Sequence, residues 1–80
     1  MADLPYEDYA TDLSLLRAWA GRGIAQDRVF EVRYLAGIEH PWCVRLEDTT
    51  RSWSNNVDCC TFLRDAVAHS LRCAEAAGFP

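Results

Sequence analysis

Apolar positions recur along this chain at two different periods. Over residues 4–20, LPYEDYATDLSLLRAWA, the residues Tyr9, Leu13, Leu16 and Ala20 are separated by four, three and four positions, the spacing of one face of an amphipathic helix. Pro5 suits a first helical turn, and Glu7 and Asp8 suit the positive end of the helix dipole. Thr11 offers a second start, as the cap of a helix beginning at Asp12. Gly21 and Gly23 predict the stop. The period then changes to two. In RVFEVRYLA, residues 28–36, Phe30, Val32, Tyr34 and Ala36 share one parity; in WCVRLE, residues 42–47, Trp42, Val44 and Leu46 alternate with Cys43, Arg45 and Glu47. With GIEHP as the turn between them, these segments predict an antiparallel hairpin. DTT predicts another turn, and RSWS a short third strand with Trp53 facing the core.

The period returns to that of a helix near the end. Residues 56–77 predict about 22 residues of helix, ~33 Å long, capped by Ser54 or Asn55 and stopped by Gly78. Cys60, Leu63, Val67, Leu71 and Ala74 form its apolar stripe, joined by Ala66, Ser70 and Ala77. The expectation is one α+β domain over residues 1–80: a helix, a two- or three-stranded antiparallel sheet and a long C-terminal helix. A chain of 80 residues buries only roughly 60% of its unfolded surface, which leaves little room for a large cleft.

Candidate chemistry gathers in DCCTFLRDAVAHSLRC, residues 58–73, which hold three of the four cysteines and one of the two histidines. His69 and Cys73, four apart, share a helix face, but the paired-cysteine spacing of a zinc knuckle is missing. Adjacent Cys59 and Cys60 on a helix point about 100° apart. The thiols are therefore expected to be structural, with no metal and no cofactor. His40 and Cys43 in HPWC read as a turn histidine and a strand cysteine. No phosphate loop, GxSxG or HExxH pattern is present, and a non-enzymatic protein is expected.

Charge narrows the partner. The net charge is −4 with every basic residue an arginine, and Asp3, Glu7, Asp8 and Asp12 all precede the first arginine, Arg17. A pI near 4.9 argues against a direct nucleic-acid ligand. The acidic start lacks the pattern of a signal peptide, no run approaches a membrane span, and four cysteines without a secretory signal read as reduced thiols. A cytoplasmic protein is expected.

The order helix, strands, helix, together with AGIEHPWCVRLED, residues 36–48, resembles a double-stranded RNA-binding domain. The start of the last helix, where that family places lysines against phosphates, reads SNNVD here, so the resemblance implies shape without RNA affinity. The acidic opening DLPYEDYATD and the acidic turn RLEDTT give the whole chain the look of a small phage-encoded anti-CRISPR protein. That resemblance implies an inhibitor acting as a DNA mimic in a bacterial host, which binds the basic DNA-binding surface of a type I, and within that type I-C, surveillance complex. The partner-binding residues it implies are Glu7, Asp8, Asp12, Glu47 and Asp48. The alternative is an adaptor domain, a monomer or weak homodimer, that binds a host protein through exposed aromatics among Tyr6, Tyr9, Trp19, Trp42 and Trp53.

Overall fold

The computed structural model describes residues 9–24 and 27–80. Helix α1 (Tyr9–Gly21) is followed by strands β1 (Arg28–Tyr34), β2 (Trp42–Asp48), β3 (Trp53–Ser54) and β4 (Asp58–Cys60), and then by helix α2 (Leu63–Ala76). The class is α+β, as the pattern predicts. β1 and β2 pair antiparallel in full register from Arg28↔Asp48 to Tyr34↔Trp42. β3 and β4 both pair with the other edge of β2, β3 through Glu47↔Ser54 and Asp48↔Trp53 and β4 through Trp42↔Cys60, Cys43↔Cys59 and Val44↔Asp58. They are two halves of one interrupted edge strand.

One sheet face packs against the helices. Trp42, Val44 and Leu46 are buried, with Phe30 and Val32 packed beside them, against Leu16 and Trp19 of α1 and Leu63, Ala66, Val67 and Ala74 of α2. The stripe of α1 runs through Asp12, Leu16 and Trp19, with Leu13 and Ala20 flanking it. Trp19 is 1% exposed and Trp42 3%, and Trp53 stacks on Phe79 with ring centroids 4.9 Å apart. The tryptophans are thus core residues, and among the described residues the exposed aromatics are Tyr34 and Phe62.

The end of α2 follows the expectation at Gly78. Its φ of 92° places it in the left-handed region glycine tolerates. The Gly78 amide donates to the Glu75 carbonyl at 3.1 Å and the Phe79 amide to Ala74 at 2.8 Å, a Schellman closure. This returns Phe79 to the core, where its carbonyl accepts the Trp19 indole N–H at 2.8 Å.

The start of that helix departs from the sequence pattern. Residues 56–62 are not helical: the helix begins at Leu63 after Phe62, and neither Ser54 nor Asn55 caps it. Cys60 lies at the end of β4, packed against the core, rather than on the helical stripe. The cause is the bare edge of β2, whose backbone donors and acceptors must be paired. β4 satisfies residues 42–44, and Asn55 bridges the gap to β3. The Leu46 amide donates to Asn55 Oδ1 at 2.9 Å, and Asn55 Nδ2 donates to the Val44 carbonyl at 3.3 Å. Passing from β3 to β4 in so few residues forces Asn56 and Val57 to positive φ, 63° and 58°, an uncommon state for a β-branched residue.

Candidate functional site

The five acidic residues implied by the sequence do not form one surface. Glu7 and Asp8 lie outside the described residues. Asp12 is 6% exposed and Asp48 2%, so neither offers its carboxylate to a partner in this fold. Asp48 continues the inward parity of β2 and meets Arg28, its register partner, with Arg28 Nε 3.5 Å and Arg51 Nη2 3.1 Å from its Oδ2. Burial alone would raise its pKa, but the Arg51 backbone amide and guanidinium, with Arg28, outweigh burial and hold it below the usual carboxylate value. Arg28 is fixed by Trp19 and Pro80 carbonyls at 3.2 and 2.8 Å, and its guanidinium lies 4.7 Å from the Trp19 ring centre. Glu47 is half-buried and paired with Arg45 at 2.9 Å.

Three other regions carry chemistry. The outer sheet face presents Glu31, Arg33, Cys43, Arg45 and Val57 around a shallow depression, with Arg33 paired to Glu31 at 3.2 Å. Cys43 and Cys59 are direct cross-strand neighbours there, yet Cys43 is buried and Cys59 exposed. Burial, reinforced by a hydrogen bond with the Cys59 thiol, pushes the Cys43 thiol up to about 11. Burial, then the Asp65 and Asp58 carboxylates, also raises Cys60. Only the thiolate is nucleophilic, and at pH 8 a thiol of that pKa is ionised about once in a thousand. Iodoacetamide should therefore modify native protein at Cys59 well ahead of Cys43, as read by peptide mass mapping. Equal rates at the two would show that the outer face does not pack as described.

The second region is the far end of the β1–β2 hairpin. Tyr34, Leu35 and Ile38 are 38, 44 and 52% exposed. The loop is nevertheless tied down: the Leu35 amide donates to Pro41 at 2.8 Å, Gly37 takes a φ of 89°, and His40 Nδ1 lies 3.2 Å from Thr61 Oγ1. Tyr34 rests on Trp42 with centroids 4.7 Å apart.

The third region is the strand break. Asp58 Oδ2 accepts hydrogen bonds from Asn55 Nδ2 at 2.7 Å and Ser70 Oγ at 3.1 Å, and Asn55 Nδ2 also reaches Ser70 Oγ at 2.9 Å. The other oxygen, Oδ1, lies 2.9 Å from His69 Nδ1. With Cys73 one turn further along α2, Asp58 and His69 bring one oxygen, one nitrogen and one sulfur within 4.8 Å of one another. The sequence pairs His69 with Cys73 but misses Asp58. On a continuous helix Asp58 would lie eleven residues, ~16 Å, from His69, and only the turn into β4 brings it back.

Together these features define a small two-layer α+β domain. No family model, curated protein or solved structure matches the chain. Among the described residues, no helix is long and apolar enough to cross a membrane.

Proposed function

We propose that this protein is a non-catalytic binding domain that docks on a protein partner through the apolar end of its β1–β2 hairpin. The observation that supports the reading is the exposure of Tyr34 at the end of β1 and of Leu35 and Ile38 on the loop that follows, already held by the Leu35–Pro41 and His40–Thr61 contacts. Apolar groups on a pre-ordered loop lose little conformational freedom on binding, and their complement is an aliphatic cleft on the partner. The test is capture of a partner from the native host by the full chain and by the Leu35→Ser, Ile38→Ser double variant. Capture should fall at least about tenfold in the variant and change little with salt. Undiminished capture by the variant would remove the hairpin from the interface.

A second reading, the inhibitor of a type I CRISPR surveillance complex, is favoured by one observation: Asp3, Glu7 and Asp8 carry three of the four net negative charges. With Asp12 and Asp48 interior, that interface would rest on Glu7 and Asp8, assisted by Glu47. Glu7→Arg with Asp8→Arg should then restore target-DNA binding by the surveillance complex, and binding of the native chain should weaken steeply with salt. If the charge-reversed chain still inhibits in full, the acidic mode fails.

A further inference from the structure

We infer that Asp58, His69 and Cys73 form a binding site for a borderline divalent cation of the zinc type, with a fourth position open to solvent. The donors come from two elements, Asp58 from β4 and the i, i+4 pair His69 and Cys73 from adjacent turns of α2. Their ligand atoms lie within 4.8 Å of one another. A tetrahedral zinc ion, with bonds of about 2.0–2.3 Å, holds its ligands roughly 3.3–3.7 Å apart. The Asp58–His69 pair, at 2.9 Å, has to open slightly and Cys73 to draw in, adjustments open to side-chain rotation because the His69 side chain is 53% exposed and Cys73 is half-buried. One oxygen, one nitrogen and one sulfur suit zinc or cobalt, whereas magnesium and calcium take oxygen shells.

The surroundings of Asp58 strengthen the assignment. Metal-binding carboxylates are commonly oriented by hydrogen bonds from a second layer of residues. Here Asn55 and Ser70 hold Oδ2 at 2.7 and 3.1 Å, which leaves Oδ1 directed at His69. The segment that delivers Asp58 passes through the two left-handed residues Asn56 and Val57, and unfavourable backbone of this kind concentrates at functional sites. On binding, the ion takes the place of the proton between His69 Nδ1 and Asp58 Oδ1. That nitrogen becomes a lone-pair donor with the ring proton on Nε2, and the Cys73 thiol releases its proton to solvent. The site draws on β4 and α2 and on none of Tyr34, Leu35 and Ile38, so it does not depend on the proposed docking mode.

Cobalt(II) is the probe, added to the reduced, metal-free full chain. One equivalent should give the visible bands of a tetrahedral ion and thiolate-to-cobalt charge-transfer absorption in the near ultraviolet. Cys73→Ser should abolish the charge-transfer band. His69→Ala, at an exposed position that leaves the core intact, should weaken binding at least about tenfold, and Cys59→Ser should leave both signals unchanged. Zinc should raise the melting temperature of the native chain and not that of His69→Ala. The assignment is overturned if cobalt leaves the spectrum unchanged, or if the charge-transfer band survives in Cys73→Ser or disappears in Cys59→Ser. One ion per two chains would also overturn it, since the ligands would then come from a dimer.

Discussion

Replacing Asn55 by alanine should lower the stability of the fold by about 2–4 kcal/mol, since each buried polar group stripped of its partner costs about 1–3 kcal/mol. Asn55 is 9% exposed; its Oδ1 accepts from the Leu46 amide, and its Nδ2 shares two hydrogens among the Val44 carbonyl, Asp58 and Ser70. Alanine strands the Leu46 amide in the middle of the sheet and takes a donor from the Asp58 carboxylate. In a small domain whose stability is of order 5–15 kcal/mol, such a loss shifts the melting temperature by roughly 10–25 °C. Asn55→Asp keeps the acceptor for Leu46 but sets a second carboxylate beside Asp58. It should cost at least as much at neutral pH. Urea unfolding of the native chain and both variants decides the matter: a loss below about 0.5 kcal/mol for alanine would mean that the strand break is held by other contacts.

The second large effect is at Trp19. Truncation of a buried tryptophan costs about 3–5 kcal/mol, and Trp19→Ala is expected to leave a domain of this size close to its unfolding threshold at ambient temperature. Trp19 is 1% exposed, lies with its ring centre 6.5 Å from that of Trp53, and donates its indole N–H to Phe79. Trp19→Phe separates packing from the hydrogen bond: most apolar contact is kept, the Phe79 carbonyl loses its donor, and the cost should fall to about 1–2 kcal/mol. Near-ultraviolet circular dichroism and thermal melts give both values. If the two variants melted together, packing of the indole would not be what holds α1 to the C-terminal segment.

Much of this fold can be read from local pattern because its main elements are amphipathic. The alternation in residues 28–34 and 42–48 is enough to define the hairpin, and the apolar stripe of α2 from Leu63 to Ala74 follows the helical period. Residues 56–62 show where local pattern stops being informative. NVDCCTF is compatible with a helix on its own, but the unpaired edge of β2 competes for the same backbone, and that demand comes from residues more than ten positions away. The acids carry a related lesson. Their number and location along the chain are visible, whereas their exposure is a matter of parity. Asp48 continues the series Trp42, Val44, Leu46, and Asp12 stands four and seven residues before Leu16 and Trp19, so periodicity places both on interior faces once it is applied to charged residues too. The trio Asp58, His69 and Cys73 is only two-thirds legible, since the third member arrives through the non-local strand.

The hold on α1 at the C-terminal end is made through main-chain carbonyls: Trp19 reads the Phe79 carbonyl and Arg28 the Pro80 carbonyl, across separations of 60 and 52 residues. Carbonyls belong to every residue type, so these two bonds depend on chain reach and direction more than on side-chain identity. They also make one corner of the fold depend on residues 79 and 80: without them the Trp19 indole and the Arg28 guanidinium each lose a protein acceptor, and Trp53 loses the ring it stacks on.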